Sequence, residues 1–158
     1  MHPITPIGII VSPFQHIEDM PIQPRGAAGT KGRVQVDRTL QPGLDDLEGF
    51  SHIYLIYSFH KVTRTDLTVI PFMDTQPRGV YATRSPLRPN HIGISIVRLE
   101  KIQDNVLHVL DIDVLDGTPL LDIKPYMEKF DSVENSTSGW MQANNKEVAE
   151  KRSDSRFK

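Results

Sequence analysis

The sequence predicts an all-β protein, and two observations carry that prediction. Apolar residues recur with period two rather than 3.6 through residues 7–123, which is the pattern of strands that bury one face. The runs are short and are separated by turns rich in proline, glycine and aspartate, as in an antiparallel barrel or sandwich. A third observation argues against a nucleotide-binding α/β fold, because no Gly-x-Gly-x-x-Gly follows a strand and no strand–helix alternation is visible.

Eight short segments fit the strand pattern. In chain order they are residues 7–11, 32–36, 52–59, 67–72, 80–83, 92–99, 106–114 and 120–123. Residues 44–48, which follow Pro42 and Gly43, predict a short helical turn instead. The alternation ends near residue 130, and we therefore expect one β domain over residues 1–130.

The sixth segment has two faces of different composition. One face carries the isoleucines Ile92, Ile94 and Ile96. The other face is mixed and carries Gly93, Ser95 and Val97. We expect the mixed face to be the outer one and to meet a ligand or another subunit.

Residues 131–158 differ in composition from the β domain. Residues 132–145 are polar and turn-rich, and the only aromatic residues of this part are Trp140 and Phe157. We expect a C-terminal tail that is poorly ordered, or ordered only against a partner, in which residues 146–152 could form a short exposed helix.

Composition narrows the class of protein. At 158 residues the chain fits a single domain, and the absence of cysteine excludes disulfides, thiolate catalysis and cysteine-ligated metals. No apolar run approaches the roughly 18 residues of a membrane span, and the N-terminus lacks a signal-peptide pattern. We expect a soluble, cytoplasmic protein that needs no metal and no membrane.

The net charge of −2 hides an uneven distribution. Residues 61–101 carry seven basic and three acidic side chains, a net +4, whereas residues 102–136 carry two basic and eight acidic ones, a net −6. A local basic surface can bind phosphate even on a mildly acidic protein, although an ordinary mixed surface explains the same counts.

Residues 84–93 concentrate groups that recognise ligands. Arg84 and Arg88 offer donor forks suited to carboxylate or phosphate, and Asn90 offers both a donor and an acceptor. Pro86 and Pro89 stiffen the segment, because proline fixes φ. The alternative is a surface loop with two salt-bridged arginines.

A second segment, residues 116–126, combines a turn with polar groups. Asp116-Gly117-Thr118-Pro119 predicts a tight turn, since glycine tolerates positive φ and aspartate bonds its own backbone. Asp122, Lys124 and Tyr126 then add polar groups that a turn leading into a strand does not require.

Several separated motifs give the chain a family resemblance. They are IGIIVSPF at 7–14, LEGFSH at 47–52, SFH at 58–60, ATRSPLRPN at 82–90, IG at 92–93, LDGTP at 115–119 and PY at 125–126. In this order, over residues 4–130, they resemble the TsaA-like, TrmO-type family of S-adenosylmethionine-dependent tRNA methyltransferases. The resemblance implies a single-sheet antiparallel β-barrel. Longer members of the family carry a further C-terminal domain, so tRNA contacts made through that domain are not expected from these residues.

The resemblance also implies a cofactor site for S-adenosylmethionine. The implied contacts are Pro21, Ile22, Gln23, His60, Lys61, Arg84, Ile94, Asp116, Gly117, Thr118 and Pro119. The family reads Pro-Arg-Gln in the first loop, so Ile22 replaces an arginine here and the polar role passes to Gln23 or Arg25. Arg84 suits the ligand carboxylate. Without the resemblance, His60 at a strand end would be interpreted as a structural hydrogen-bonding group.

The family's reaction is methylation of the exocyclic N6 of threonylcarbamoyladenosine next to the tRNA anticodon. The resemblance therefore implies tRNA as partner. Candidate groups that accept or polarise the N6 proton are Asn90, Asp116, Asp122 and Tyr126, and candidate phosphate or carboxylate ligands are Arg64, Arg78 and Arg88. Two alternatives stay open: another nucleoside or small-molecule acceptor, or a non-catalytic barrel that binds S-adenosylmethionine.

A homodimer is the last expectation from the sequence. A small barrel offers a shallow surface, whereas a cofactor and a nucleoside together need a deep cleft, which two subunits can build. We expect the mixed face of residues 92–99 and the apolar residues 120–123 to lie in that interface.

Overall fold

The computed structural model describes residues 1–21, 24–72, 74–141 and 152. Its strands are β1 (Gly8–Val11), β2 (Lys31–Val36), β3 (His52–Ser58), β4 (Thr68–Val69), β5 (Arg78–Gly79), β6 (Ile92–Gln103), β7 (Val106–Leu110) and β8 (Thr118–Pro125). Six of them close into an antiparallel barrel in the order β1-β2-β7-β6-β3-β8, and β4 pairs with β5 in a small separate sheet. The predicted all-β, single-sheet barrel is confirmed.

The described helical elements are short. The 3₁₀ turns are Ile17–Asp19, Pro24–Ala27, Arg38–Leu44, Leu47–Gly49, Val80–Ala82 and Pro89–His91, and the single α-helical turn is α1 (Glu128–Asp131). The helical turn predicted at residues 44–48 thus lies where two successive 3₁₀ turns meet. Within the described part of the chain, no helix is long and apolar enough to cross a membrane.

The barrel interior is filled by aliphatic side chains that alternate along each strand. Fully buried residues include Ile10, Val34, Ile53, Leu55, Leu107, Val109 and Leu120. Because each inward position is flanked by an outward one, the period-two pattern of the sequence places these side chains in one core.

The faces of β6 are the reverse of the predicted ones. Gly93, Ser95 and Val97 point into the barrel and are buried, whereas Ile94 and Ile96 are 43% and 36% exposed on the outside. The interior here must accommodate the ring of Tyr57, so small residues line it. The expectation that the mixed face lies outside, in a subunit interface, was therefore wrong.

Three predicted strands were also too long or misplaced. Residues 67–72 contribute only β4, and residues 80–83 form a 3₁₀ turn rather than a strand. Val69 and Val80 of these segments instead pack with Leu87 in a second small core. β7 ends at Leu110 because Asp111 adopts a left-handed conformation, with φ 68°, where the chain leaves the sheet.

One end of the barrel, here called the upper rim, gathers three connections. In an antiparallel barrel the end of one strand lies beside the start of its neighbour. The upper rim is therefore formed by the chain between β1 and β2, the chain between β3 and β6 and the chain between β7 and β8, with Ile10 opposite Thr118 and Ser58 opposite Ile92. The lower rim is the opposite end, where β3 begins and β8 ends.

The part of the C-terminal tail that is described, up to residue 141, has no regular element after α1. The indole of Trp140 nevertheless donates a hydrogen bond to the carbonyl of Ala82 (2.7 Å). The helix predicted at residues 146–152 falls almost wholly outside the described residues, and the division into residues 1–130 and 131–158 stays a prediction.

Candidate functional site

The upper rim brings together most of the residues predicted to bind the cofactor. His60 and Lys61 follow β3, Arg84 lies in the segment before β6, and the Asp116 turn opens β8. Pro21, which follows β1, is buried and pairs with Arg152 in an isolated β-bridge. Ile22 and Gln23 lie outside the described residues. Ile94 lies two residues into β6, on its outer face.

The segment that carries Arg84 is braced by its own side chains. The hydroxyl of Thr83 accepts from the Ser85 amide (3.2 Å), and the hydroxyl of Ser85 accepts from the Leu87 amide (3.2 Å). Arg88 Nη1 donates to the carbonyls of Thr83 (2.8 Å) and Ser85 (3.4 Å). These bonds fix the backbone on both sides of Arg84, which is itself exposed.

Two consecutive left-handed residues end this segment. Asn90 and His91 have φ of 67° and 50°, a conformation that asparagine tolerates better than most residues. The His91 ring Nδ1 lies 3.0 Å from the Pro86 carbonyl, and its own carbonyl accepts from the Phe59 amide (2.8 Å). Asn90 is thereby presented on the surface beside the end of β3.

Gly93 has a steric reason to be glycine. A Cβ at this position would lie 2.4 Å from Tyr57 Cε2 and 2.7 Å from Phe59 Cζ. The two rings pack edge to face across it, with centroids 5.5 Å apart. The Ile92-Gly93 motif thus lets two aromatic rings fill the upper end of the barrel.

The Asp116 turn is tied to the chain that leaves β1. The Asp116 carboxylate accepts from the Ser12 amide (3.0 Å) and from Gln15 Nε2 (3.4 Å). Gly117 has φ 79°, and the buried Thr118 hydroxyl donates to the Leu115 carbonyl (2.6 Å). Both Asp116 oxygens therefore have partners within the chain, and the turn is held rigid where the two motifs meet.

A polar network lies inside the barrel just below the upper rim. Ser95 Oγ donates to Asp113 Oδ1 (2.6 Å), and the hydroxyl of Tyr57 lies 2.9 Å from Ser95 Oγ. All three residues are buried. Burial raises the pKa of the Asp113 carboxyl to about 6, against the lowering effect of the Ser95 hydrogen bond and of the more distant Arg84 charge.

Electrostatics also acts on His60 at the upper rim and on Tyr54 nearer the lower rim. Partial desolvation, with the neighbouring Lys61 charge, lowers the pKa of His60, so the imidazole is neutral at pH 7. Desolvation, with smaller contributions from Asp131 and Tyr126, raises the pKa of the Tyr54 hydroxyl. A neutral His60 has one ring donor and one ring acceptor, which suits recognition of a polar ligand edge.

The three arginines predicted to bind substrate differ in their surroundings. Arg64 forms an ion pair with Asp66, and Arg78 Nε pairs with Asp74 at 2.6 Å. Arg88 braces the backbone as described above. All three lie in the chain between β3 and β6, where partners within the chain already engage them, and the basic surface stays a prediction.

Tyr126 and Asp122 lie toward the lower rim rather than with Asn90 and Asp116. The Tyr126 amide donates to the carbonyl of His52 at the start of β3 (3.0 Å), and its ring packs against Tyr54 with centroids 5.8 Å apart. An eight-residue strand spans roughly 23 Å. Within one chain, therefore, the structure does not bring Tyr126 to the other two predicted catalytic residues.

Sequence reasoning missed Asp113, Tyr81 and the role of Trp140. Asp113 had a signal, because a carboxylate between Ile112 and Val114 in an apolar run is a candidate for burial. Tyr81 is 73% exposed on the 3₁₀ turn that leads into the Arg84 segment. Nothing local in the sequence predicts that Trp140 would contact that same turn.

Comparisons with known proteins identify the family. The sequence model of the tRNA-methyltransferase O N-terminal domain matches residues 9–132. A probable S-adenosyl-L-methionine-binding protein of Pyrococcus abyssi is 50% identical over 152 residues, which are 96% of this chain and 83% of that protein. The human tRNA (adenine(37)-N6)-methyltransferase is 33% identical over 137 residues, 82% of this chain and 31% of that enzyme.

A solved structure of a related protein has the same fold. The crystal structure of TrmO from Pseudomonas aeruginosa superposes with a TM-score of 0.75 at 36% identity, covering 89% of this chain and 63% of that chain. This chain therefore spans less than two thirds of the solved TrmO chain and about a third of the human enzyme. Because the family's sequence model covers well over half of the residues, this chain belongs to the tRNA-methyltransferase O N-terminal domain family.

Proposed function

We propose that this protein is an S-adenosylmethionine-dependent methyltransferase that acts on the exocyclic N6 of threonylcarbamoyladenosine next to the tRNA anticodon. The observation that carries the proposal is the convergence at the upper rim. Motifs separated by up to a hundred residues, at Ser12, His60, Arg84 and Asp116, meet at one end of one barrel. A fold alone needs no such convergence of polar groups, whereas a ligand site does.

The residues of the rim fit the chemistry of S-adenosylmethionine. The exposed guanidinium of Arg84 suits the ligand carboxylate, and a neutral His60 suits a polar ligand edge. The rigid Asp116–Pro119 turn presents backbone groups for the adenine. When bound, S-adenosylmethionine supplies an electrophilic methyl group.

The chain's own contribution is mainly positioning. The braced Arg84 segment and the tied Asp116 turn are rigid before any ligand arrives, which lowers the entropy cost of an in-line approach. Asn90, held by its left-handed backbone, can accept a hydrogen bond from the N6–H at its Oδ1 and so orient the nitrogen. Asp116 has both oxygens engaged, so in this role it would act through the turn it fixes.

The tRNA surface is the chain between β3 and β6. It carries Arg64, Arg78 and Arg88 together with the exposed ring of Tyr81. Single-stranded RNA loops are bound by such combinations, since arginines hold phosphates and aromatic faces stack with bases. An adenosine in an anticodon loop is already accessible, so its extrusion costs little.

The active unit that we propose is a homodimer. Ile94 and Ile96 lie on the outside of β6, directly opposite Ile56 and Tyr54 of β3, and form an outward apolar patch. This patch replaces the buried face that the sequence suggested. An isologous contact through it would place a second copy beside the upper rim of the first and deepen the cleft.

Light scattering tests the dimer. We expect a mass near twice the 17.9 kDa of one chain for the wild type and a monomer for Ile94→Asp. The matched control is Ile9→Asp, a 49% exposed isoleucine on the outside of β1, which should stay dimeric. A wild-type monomer that methylates tRNA would refute the proposal.

One observation favours a second function, a binding module without catalysis. None of the three residues predicted to be catalytic is a free base at the upper rim, because both oxygens of Asp116 accept hydrogen bonds within the chain, Asn90 is neutral and Tyr126 lies toward the lower rim. The relative from Pyrococcus abyssi is likewise described by binding rather than by catalysis.

Methyl transfer separates the two functions. The protein is incubated with labelled S-adenosylmethionine and with tRNA from cells that have or lack threonylcarbamoyl modification, and the nucleosides are analysed by mass spectrometry. A methyl group on N6 only in the modified tRNA supports the proposal. Transfer to both tRNAs identifies a different acceptor, and binding without transfer identifies the module.

A further inference from the structure

The C-terminal segment contacts the 3₁₀ turn that precedes Arg84. Trp140 Nε1 donates to the carbonyl of Ala82 at 2.7 Å, and the Arg78 guanidinium lies 5.8 Å from the centre of the indole ring. Arg78 and Ala82 mark the two ends of the unit made by β5 and the turn Val80–Ala82. The indole therefore holds that unit at both ends.

The bond to Ala82 satisfies a group that the turn leaves without a partner. The last carbonyl groups of a helical turn accept no hydrogen bond from within the turn. A donor from outside therefore stabilises the end of the turn. The indole N–H is a pure donor, and its ring adds a cation–π contact to Arg78, whose own charge is already fixed by Asp74.

From Ala82 the hydrogen bonds continue into the ligand segment. The Thr83 amide and hydroxyl both bond to the Val80 carbonyl (3.1 and 2.7 Å), and the Thr83 hydroxyl accepts from Ser85. Arg84 lies between these two anchors. A contact that fixes Ala82 thus restricts the backbone that aims Arg84.

The same C-terminal part of the chain touches the rim a second time. Arg152 pairs by an antiparallel bridge with Pro21, in the loop predicted to contact the cofactor. Residues that follow the barrel thus contact two segments that are predicted to bind the cofactor, the one before Arg84 and the one that contains Pro21.

We propose that Trp140 is a positioning residue, which fastens the C-terminal segment to the upper rim and holds Arg84 in the orientation that binds S-adenosylmethionine. The inference rests on the proposed function for the identity of the ligand. The bracing of the Arg84 segment does not depend on it.

The test combines hydrogen exchange with binding, on the full chain. In Trp140→Ala we expect the amides of residues 83–85, 87 and 88 to exchange about threefold to tenfold faster, because one hydrogen bond and one cation–π contact are lost. The dissociation constant for S-adenosylmethionine should rise by a similar factor. Trp140→Phe, which keeps a ring over Arg78 but loses the donor, should fall between. The matched control, Phe130→Ala, removes a 72% exposed aromatic residue of α1 and should change neither quantity.

Intrinsic fluorescence gives an independent reading, because Trp140 is the only tryptophan in the chain. We expect its emission to shift when S-adenosylmethionine is added to the wild type. Unchanged exchange of residues 83–88 in Trp140→Ala overturns the inference, as does an equal acceleration of barrel amides, which would mean general destabilisation. If the wild type binds no S-adenosylmethionine while the exchange of residues 83–88 still responds, the bracing stands and the proposed function fails.

Discussion

Asp113→Asn should make the stability of the protein less dependent on pH. The folded carboxyl has a pKa of about 6, against a reference value of 3.8, because it is buried beside Ser95 and Tyr57. Between these two values the folded state binds more protons than the unfolded state, so stability falls as pH rises from about 4 to about 6 and is then constant. Asparagine keeps the shape and an acceptor for Ser95 but carries no charge.

The magnitude follows from the shift. A difference of roughly two pKa units corresponds to about 3 kcal/mol between the fully protonated and fully ionised limits. The range from pH 4.5 to pH 7.5 covers only part of this change. Over that range the free energy of unfolding of the wild type should fall by about 2 kcal/mol relative to that of Asp113→Asn.

Urea unfolding followed by circular dichroism at four pH values between 4.5 and 7.5 measures this difference. Subtracting the two proteins cancels the titrations that they share. Ser95→Ala serves as a second variant, since removal of the hydroxyl that stabilises the carboxylate should move the midpoint to higher pH. A difference that is flat with pH, or in which the wild type gains stability as pH rises, would show that Asp113 is ionised in the folded protein and refute the reasoning.

Three further predictions concern ligands. Arg88→Ala should lower kcat/KM for tRNA about tenfold to a hundredfold through loss of a charge-assisted contact, and it should lower S-adenosylmethionine affinity by only about threefold to tenfold through loss of its bracing at Thr83 and Ser85; an equal loss of the two in calorimetry and kinetics would leave Arg88 as a brace only. Tyr81→Ala should raise KM for tRNA by about tenfold through loss of base stacking, whereas Tyr81→Phe should match the wild type, and equal behaviour of the two variants would exclude stacking. S-adenosylmethionine should bind equally with and without chelator in calorimetry, because the described residues contain no group of three or more potential metal ligands; a signal that needs added metal would contradict this.

The sequence predicts the barrel well because alternation is a local property, but it does not say which face is inside. In β6 the isoleucines suggested the core, yet Gly93 and Ser95 face inward because the rings of Tyr57 and Phe59 already occupy that space. This packing comes from β3, some 35 residues earlier, and no local pattern reveals it. The strand predicted at residues 80–83 was wrong for a similar reason, since Val80 packs in the small second core with Val69 and Leu87, which are distant in the sequence or lie in another element.

For the candidate site, the sequence predicts which motifs take part, but it does not predict which groups their side chains contact. That the segments after β1 and β3 and before β6 and β8 share one rim follows from antiparallel order, and this could be anticipated. Three features of the site depend on tertiary geometry and could not be predicted. The Asp116 carboxylate accepts hydrogen bonds from Ser12 and Gln15, and Arg88 donates to backbone carbonyls. Tyr126 lies far from the upper rim.

The seam between β1 and β8 has a consequence for how the molecule assembles. Ser12 and Asp116 are 104 residues apart, so this join has the largest loop-closure entropy of the barrel, and we expect it to form after the more local pairs β6–β7 and β3–β6. During synthesis β1 must wait unpaired on that side until β8 has left the ribosome. The same seam carries the Asp116 turn, so binding competence should arise in the final folding event, and pulse-labelled exchange should show the Ser12 amide among the last to be protected.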